Sequence, residues 1–197
     1  KQARRRAQEE VGGRVFPSEI ILQPLGTQPE RHNFQITDEN LGASGEKTKY
    51  QYNVEAIRTL KQIEAENRLA TPEEQAILSR YVGWGGISHA FEPNDPKWAK
   101  EYAELKELLT PAEYQSAQST VLNAHYTSPT VIQAIYNAVE QMDFTPGTVL
   151  EPSMGIGNFF GMLPEKLAAA KLYGVELDDL TGRIAKQLYQ KADITVD

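Results

Sequence analysis

From Tyr50 to about Thr120, apolar residues recur every three or four positions, the period of helices that bury one face. Val54, Ile57, Leu60 and Ile63 form one such stripe, with Asn53 placed to cap the helix that carries it. Thr71-Pro72-Glu73-Glu74 reads as a capping box with proline at the first helical position, opening a helix with Ile77, Leu78, Tyr81 and Val82. Gly83-Trp84-Gly85-Gly86 stops that helix, and Trp84 reads as an indole buried between helices rather than an exposed platform for a base. Trp98, Tyr102, Leu105 and Leu109 make the next stripe, and Thr110-Pro111-Ala112-Glu113 repeats the capping device before Tyr114 and Ala117. The two Thr-Pro-x-Glu starts are one local solution used twice, not an internal repeat.

After residue 123 the pattern alternates. A helix from Pro129 to Met142 carries Ile132, Ile135, Tyr136 and Val139, and Thr145-Pro146-Gly147 turns it into a short strand at about 148–151. A helix over roughly 157–169, a strand at 172–176, a helix at about 179–191 and a strand beginning at Ile194 follow. Alternation of this kind predicts an α/β fold with a parallel sheet, right-handed crossovers and a ligand over the carboxyl ends of the strands. Residues 1–48 have weak periodicity and read as an extended arm or linker, 49–122 as a helical subdomain, and 123–197 as the incomplete N-terminal half of a nucleotide-type sheet domain. Within the arm, Ile20-Ile21-Leu22 is expected to pair as an edge strand or tuck into a groove, and Phe34, Ile36 and Leu41 to anchor the chain on the body.

Composition narrows the function classes. A hydrophobic content of 40% supports a core, and a mean hydropathy of -0.50 with no long apolar run argues against a membrane span. The start, Lys1-Gln2-Ala3-Arg4-Arg5-Arg6, has no apolar segment behind it and so does not read as a signal peptide. The absence of cysteine excludes disulfides and thiolate metal sites and fits a cytoplasmic protein, and His32, His89 and His125 lack metal-ligand spacing. A net charge of -7 argues against this segment gripping duplex DNA unaided, and Arg4-Arg5-Arg6 reads as a solvated lead-in. The chain lacks an initial methionine and stops within a predicted strand, so it is expected to be a piece of a larger protein.

The chemistry concentrates in Val149-Leu150-Glu151-Pro152-Ser153-Met154-Gly155-Ile156-Gly157-Asn158-Phe159-Phe160. An apolar run ends in a carboxylate, a glycine-rich turn follows, and a helix begins. Gly155 and Gly157 are expected to let the chain pass close beneath a ligand. Glu176, nineteen residues after Gly157, stands near the spacing at which a βαβ unit places a carboxylate on a ribose hydroxyl. His125-Tyr126-Thr127-Ser128-Pro129 opens the helix before the first strand, where Thr127 or Ser128 can cap and Pro129 take the first position. A dinucleotide would set a pyrophosphate beside Glu151, an unfavourable pairing. S-adenosylmethionine, with a ribose, a sulfonium and an ammonium group, suits both acids: Glu151 the cationic amino-acid end, Glu176 the ribose diol.

These segments carry a resemblance. Glu-Pro-x-x-Gly-x-Gly, from Glu151 to Gly157, resembles motif I of the class I S-adenosylmethionine-dependent methyltransferases, in the form usual among N6-adenine DNA methyltransferases. Gly174-Val175-Glu176-Leu177-Asp178 looks like motif II, and His125-Tyr126-Thr127-Ser128-Pro129 is similar to motif X, a Tyr-Thr-Pro run that contacts the methionine end of the cofactor. Ser128 stands between Thr127 and Pro129, which leaves either hydroxyl for that contact. Asn33-to-Gly42, Tyr81-to-Gly86, Asn123-to-Pro129, Glu151-to-Phe160 and Tyr173-to-Tyr189 resemble the methylase segment of very large DNA methylase/helicase proteins of bacterial conjugative elements and phages.

The resemblance implies a truncated Rossmann-like methyltransferase sheet behind a helical subdomain. It implies S-adenosylmethionine as cofactor, held by Tyr126, Thr127, Ser128, Glu151, Pro152, Gly155, Gly157, Asn158, Phe159, Glu176 and Leu177. It also implies duplex DNA as a partner reached through parts of the protein outside this chain, a helicase region in the same polypeptide, and a bacterial cytoplasmic location. The family's base-holding Asn/Asp-Pro-Pro-Tyr/Phe run is absent, so no catalytic residue is assigned and the chain alone is expected to be inactive. Asn94-Asp95-Pro96-Lys97-Trp98, the nearest string, reads as a turn and helix start. Two other readings stand beside this one: an NAD-binding oxidoreductase domain, whose third glycine would be the displaced Gly161, and a non-catalytic scaffold of a mobile-element protein.

Overall fold

The computed structural model describes residues 30–37, 44–122 and 126–197; Arg4-Arg5-Arg6, Ile20-Ile21-Leu22, Leu41 and Asn123-to-His125 lie outside them. Helices come first: α1 (Glu46–Ala65), α2 (Pro72–Leu78), a 3₁₀ turn (Ser88–Phe91), α3 (Ala99–Leu108), α4 (Pro111–Thr120) and α5 (Pro129–Gln141). The α/β part follows as β1 (Thr148–Glu151), α6 (Asn158–Gly161), a 3₁₀ turn (Glu165–Leu167), β2 (Lys171–Glu176), α7 (Asp179–Leu188) and β3 (Asp193–Val196).

The strands form one parallel sheet in the order β1-β2-β3, with Leu150 opposite Tyr173 and Gly174 opposite Ile194. The fold is thus mixed α/β with a small parallel sheet. Alternation along the strands sends Val149, Leu172 and Ile194 into the core with α7, and it leaves Leu150 and Tyr173 exposed on the other face. Among the described residues no helix is long and apolar enough to cross a membrane.

α7 is the element shared by both halves. Its apolar stripe of Leu180, Ile184, Ala185 and Leu188 is fully buried, and it belongs to the same hydrophobic cluster as Ile57, Leu60 and Leu78 of the helices and Leu172 and Ile194 of the sheet. Polar ties follow the same seam. Arg183 donates to Glu64 on α1 at 2.7 Å and to Glu113 on α4 at 2.8 Å, and Lys61 donates to Glu113 at 2.7 Å. Glu113 is buried, yet its hydrogen bonds from Lys61 and Arg183 outweigh that burial and hold its carboxyl down near about 2.

Both Thr-Pro-x-Glu boxes form as read, with Thr71 and Thr110 accepting from the backbone of Glu74 and Glu113. Trp84 is fully buried, edge-on to Tyr50, Tyr81 and Phe91. Asp95 lies in a turn whose carboxylate accepts from the Lys97 backbone, and no strand leads into it. Phe34 and Ile36 anchor the arm. The Phe34 amide donates to Leu188 O, the Ile36 amide donates to Gly161 O, and Asn33 bridges to Tyr189.

Three expectations change. The helix expected to run on through Tyr81 and Val82 ends at Leu78, ahead of the Gly83-to-Gly86 run, and the Tyr81 amide closes a tighter turn onto Leu78 O. Asn53 caps nothing: α1 begins seven residues earlier, and the buried Asn53 amide instead holds the turn after α2. Its Nδ2 donates to Gly83 O at 2.6 Å, and its Oδ1 accepts from Val82 N at 2.9 Å. The helix expected over 157–169 shrinks to the single turn of α6 plus a 3₁₀ turn, because Ile36 and Tyr189 close on Gly161 and Pro164 follows.

The Asn53 clasp gives a stability prediction. Asn53→Ala strands a backbone donor and an acceptor beside Trp84 and is expected to cost about 2–4 kcal/mol in urea melts. Gln51→Ala, on the exposed side of the same helix, is expected to stay within about 0.5 kcal/mol of the parent.

Candidate functional site

A cavity of about 290 Å³ opens at the carboxyl ends of β1 and β2, the place a parallel sheet offers a ligand. Glu151 ends β1 and Glu176 ends β2, so the sheet itself delivers both acids to the same rim.

Glu176 organises the rim. Its Oε2 accepts from Gly155 N at 2.8 Å and its Oε1 from Asp178 N at 2.9 Å, tying the glycine loop to the start of α7. Asp178, 6% exposed, caps α7 by accepting from Thr181 N at 2.9 Å, and its other oxygen accepts from the Ser116 hydroxyl of α4 at 2.5 Å. Ser119 and Thr120, one turn on from Ser116, line the cavity as well.

Glu151 is different in kind. Its Oε2 is buried without a hydrogen-bond partner among the described residues. Burial, reinforced by the nearby Glu176 charge, pushes its carboxyl up to about 8. Tyr136 and Tyr189 feel the same carboxylate, and burial together with that charge raises both phenols. Among the described residues the cavity lining holds three acids, Glu151, Glu176 and Asp178, and no lysine, arginine or histidine.

The amides of both loop glycines are already committed. Gly155 N donates to Glu176, and Gly157 N donates to Met154 O at 2.8 Å. Both glycines have left-handed backbones, with φ of 56° and 85°. The space a side chain would need is filled from within the protein: a Cβ on Gly155 would run into the Tyr126 ring, and one on Gly157 into Tyr189 and Met154.

Of the residues read from the sequence, the structure brings Tyr126, Thr127, Glu151, Gly155, Asn158, Phe159, Glu176 and Leu177 together around the cavity. Ser128, Pro152 and Gly157 are not in its lining. Ser128 occupies the cap position of α5 without a side-chain cap bond, and Pro152 is exposed past the strand end. Gly157 is buried, and a side chain there would meet Tyr189 and Met154.

Ser116, Ser119, Thr120, Ser153, Met154, Asp178 and Thr181 complete the lining and were not read from the sequence. Asp178 carried a local signal, an acid immediately before a helix. The α4 hydroxyls carried none, since only tertiary packing brings them here. Comparison with protein-family models, with curated proteins and with solved structures returns no match.

The Glu151 carboxyl makes stability depend on pH. With its folded value near 8 and an unfolded value near 4.5, the folded state holds the extra proton between those limits. Stability from this group is therefore full below about pH 4.5 and falls as pH rises through 8. Glu151→Gln removes the titration. Thermal melts at pH 5, 7 and 9 are expected to show the variant gaining on the parent as pH rises, by about 2–4 °C for each kcal/mol relieved. Parallel melting curves for the two proteins would refute the buried-carboxyl account.

Proposed function

We propose that this chain is the cofactor-binding half of an S-adenosylmethionine-dependent methyltransferase acting on adenine N6 in DNA. One observation carries the reading: among the described residues the cavity at the strand tips is lined by three acids and no cation, and one buried carboxyl oxygen lacks a partner. A ligand that fits must bring positive charge and hydrogen-bond donors. A pyrophosphate meets no cation among the described lining residues. The two glycine amides are spent on Glu176 and Met154, and α6 spans only Asn158–Gly161.

The residues present fit S-adenosylmethionine. Glu151 would take the ammonium end, and Glu176, whose oxygens each accept one backbone donor, would keep a lone pair on each for the ribose diol. The exposed Leu177 at the mouth offers an apolar face to an adenine ring. When bound, the cofactor supplies an electrophilic methyl group. The chain's own part is to fix and shield it. Tyr126, packed on Gly155, and Phe159 wall the cavity beside the loop. No Asn/Asp-Pro-Pro-Tyr/Phe run occurs in the sequence, so holding the flipped base falls to other residues of the complete enzyme.

Isothermal titration tests the proposal. S-adenosylmethionine is expected to bind and NAD is not, and Glu151→Gln is expected to weaken binding about tenfold or more, the loss of one charge-assisted hydrogen bond. The chain alone is expected to transfer no methyl group to duplex DNA. Binding of NAD without S-adenosylmethionine would overturn the assignment, and binding of neither would favour a scaffold.

A further inference from the structure

The helical layer meets the strand-tip cavity at one hydrogen bond, Ser116 Oγ to Asp178 Oδ1 at 2.5 Å. Asp178 is buried, and its other oxygen is occupied by the Thr181 amide and hydroxyl. Ser116 is therefore the group that settles the second oxygen of this cap. Asp178 in turn donates its backbone N–H to Glu176 Oε1, and Glu176 Oε2 accepts from Gly155 N. A series of hydrogen bonds, joined through the covalent frame of Asp178, thus runs from α4 to the glycine loop by way of Glu176.

The same face of α4 shapes the cavity wall. Ser119 donates its hydroxyl to Ser116 O and Thr120 donates to Ala117 O, so those protons are spent inside the helix. Their oxygens stay available only as acceptors, matching the acidic lining. α4 is clamped in place one turn earlier by Arg183 and Lys61 on Glu113.

We infer that Ser116 is a positioning residue for a ribose-bearing ligand, acting through Asp178 to hold the Glu176 carboxylate where a vicinal diol can donate to it. This deepens, and rests on, the proposed S-adenosylmethionine site. It also assigns the helical layer a direct part in ligand recognition, since the residue that sets Glu176 comes from outside the sheet. Free Glu176 oxygens can serve the diol only in the orientation that also keeps Gly155 N and Asp178 N paired.

The test compares two ligands on three proteins by isothermal titration of the full chain: S-adenosylhomocysteine and its 2′,3′-dideoxy analogue. Ser116→Ala is expected to weaken S-adenosylhomocysteine about three- to tenfold, part of the worth of the hydrogen bond to a carboxylate that it removes, since Ser116 acts on the ligand only through Asp178 and Glu176. The dideoxy ligand, with no diol for Glu176 to receive, is expected to lose less than about twofold. Ser116→Thr, which restores the hydroxyl, is expected to restore the affinity. Should Ser116→Ala fail to fold, Ser116→Cys keeps the size with a weaker donor and is expected to show the same ligand-dependent loss, smaller in extent. Equal losses for both ligands, as a merely structural role would give, or no loss at all, would overturn the positioning role while leaving the cofactor reading intact. Failure of the unchanged chain to bind S-adenosylhomocysteine or S-adenosylmethionine would remove both.

Discussion

A single carboxylate closes the architecture of the strand tips. Glu176 ends β2 and satisfies two backbone donors, Gly155 N and Asp178 N, that would otherwise face the cavity unpaired. Buried amides must find acceptors, and where the loop bends through two left-handed glycines strand β2 still serves Met154 N through Val175 O, but Gly155 N turns to the Glu176 side chain. The loop conformation, the start of α7 and the placing of the second acid at the rim all depend on that one side chain. Replacing it would free the glycine loop and uncap the approach to α7 together.

α7 then carries the constraint into the rest of the molecule. Its apolar face is buried between the sheet and the helices, while Arg183 on its flank reaches Glu64 and Glu113. Partly exposed ion pairs of this kind contribute little individually. The buried apolar stripe supplies the cohesion, and the charges fix which helix faces which. Because α7 serves both parts, the 49–122 helices and the 123–197 strands share one continuous core.

What was legible in the sequence was mostly what is local. Thr71 and Thr110 form their capping boxes because each needs only its own first turn. The strands at Thr148–Glu151 and Lys171–Glu176 and the acids at their ends were readable, since short apolar runs bounded by turn residues carry their own signal. Tertiary geometry hid the rest. Asn53 looks like a cap by residue type, but its partners Val82 and Gly83 are about thirty residues away. Gly157 looks like part of a ligand cradle, but the Tyr189 ring fills its free side. Ser116, Ser119 and Thr120 have no sequence signature at all, because their place at the cavity follows from how α4 packs on α7.

Electrostatic magnitude decides between the ligand classes. At an effective dielectric near 20, two unit charges about 4 Å apart interact by about 4 kcal/mol, close to a thousandfold in affinity. Beside an acid-lined rim that energy favours an ammonium or sulfonium and opposes a phosphate. A phosphate-binding loop overcomes nearby acids with free amides and a helix dipole. Here the amides of Gly155 and Gly157 already have acceptors, and α6 runs for a single turn. Even after a severalfold discount for solvent at the cavity mouth, neither glycine amide nor any cation among the described lining residues offsets the repulsion. An ammonium group would do better still, since it would favour the ionised form of Glu151 and meet a buried carboxyl oxygen that has no partner among the described residues.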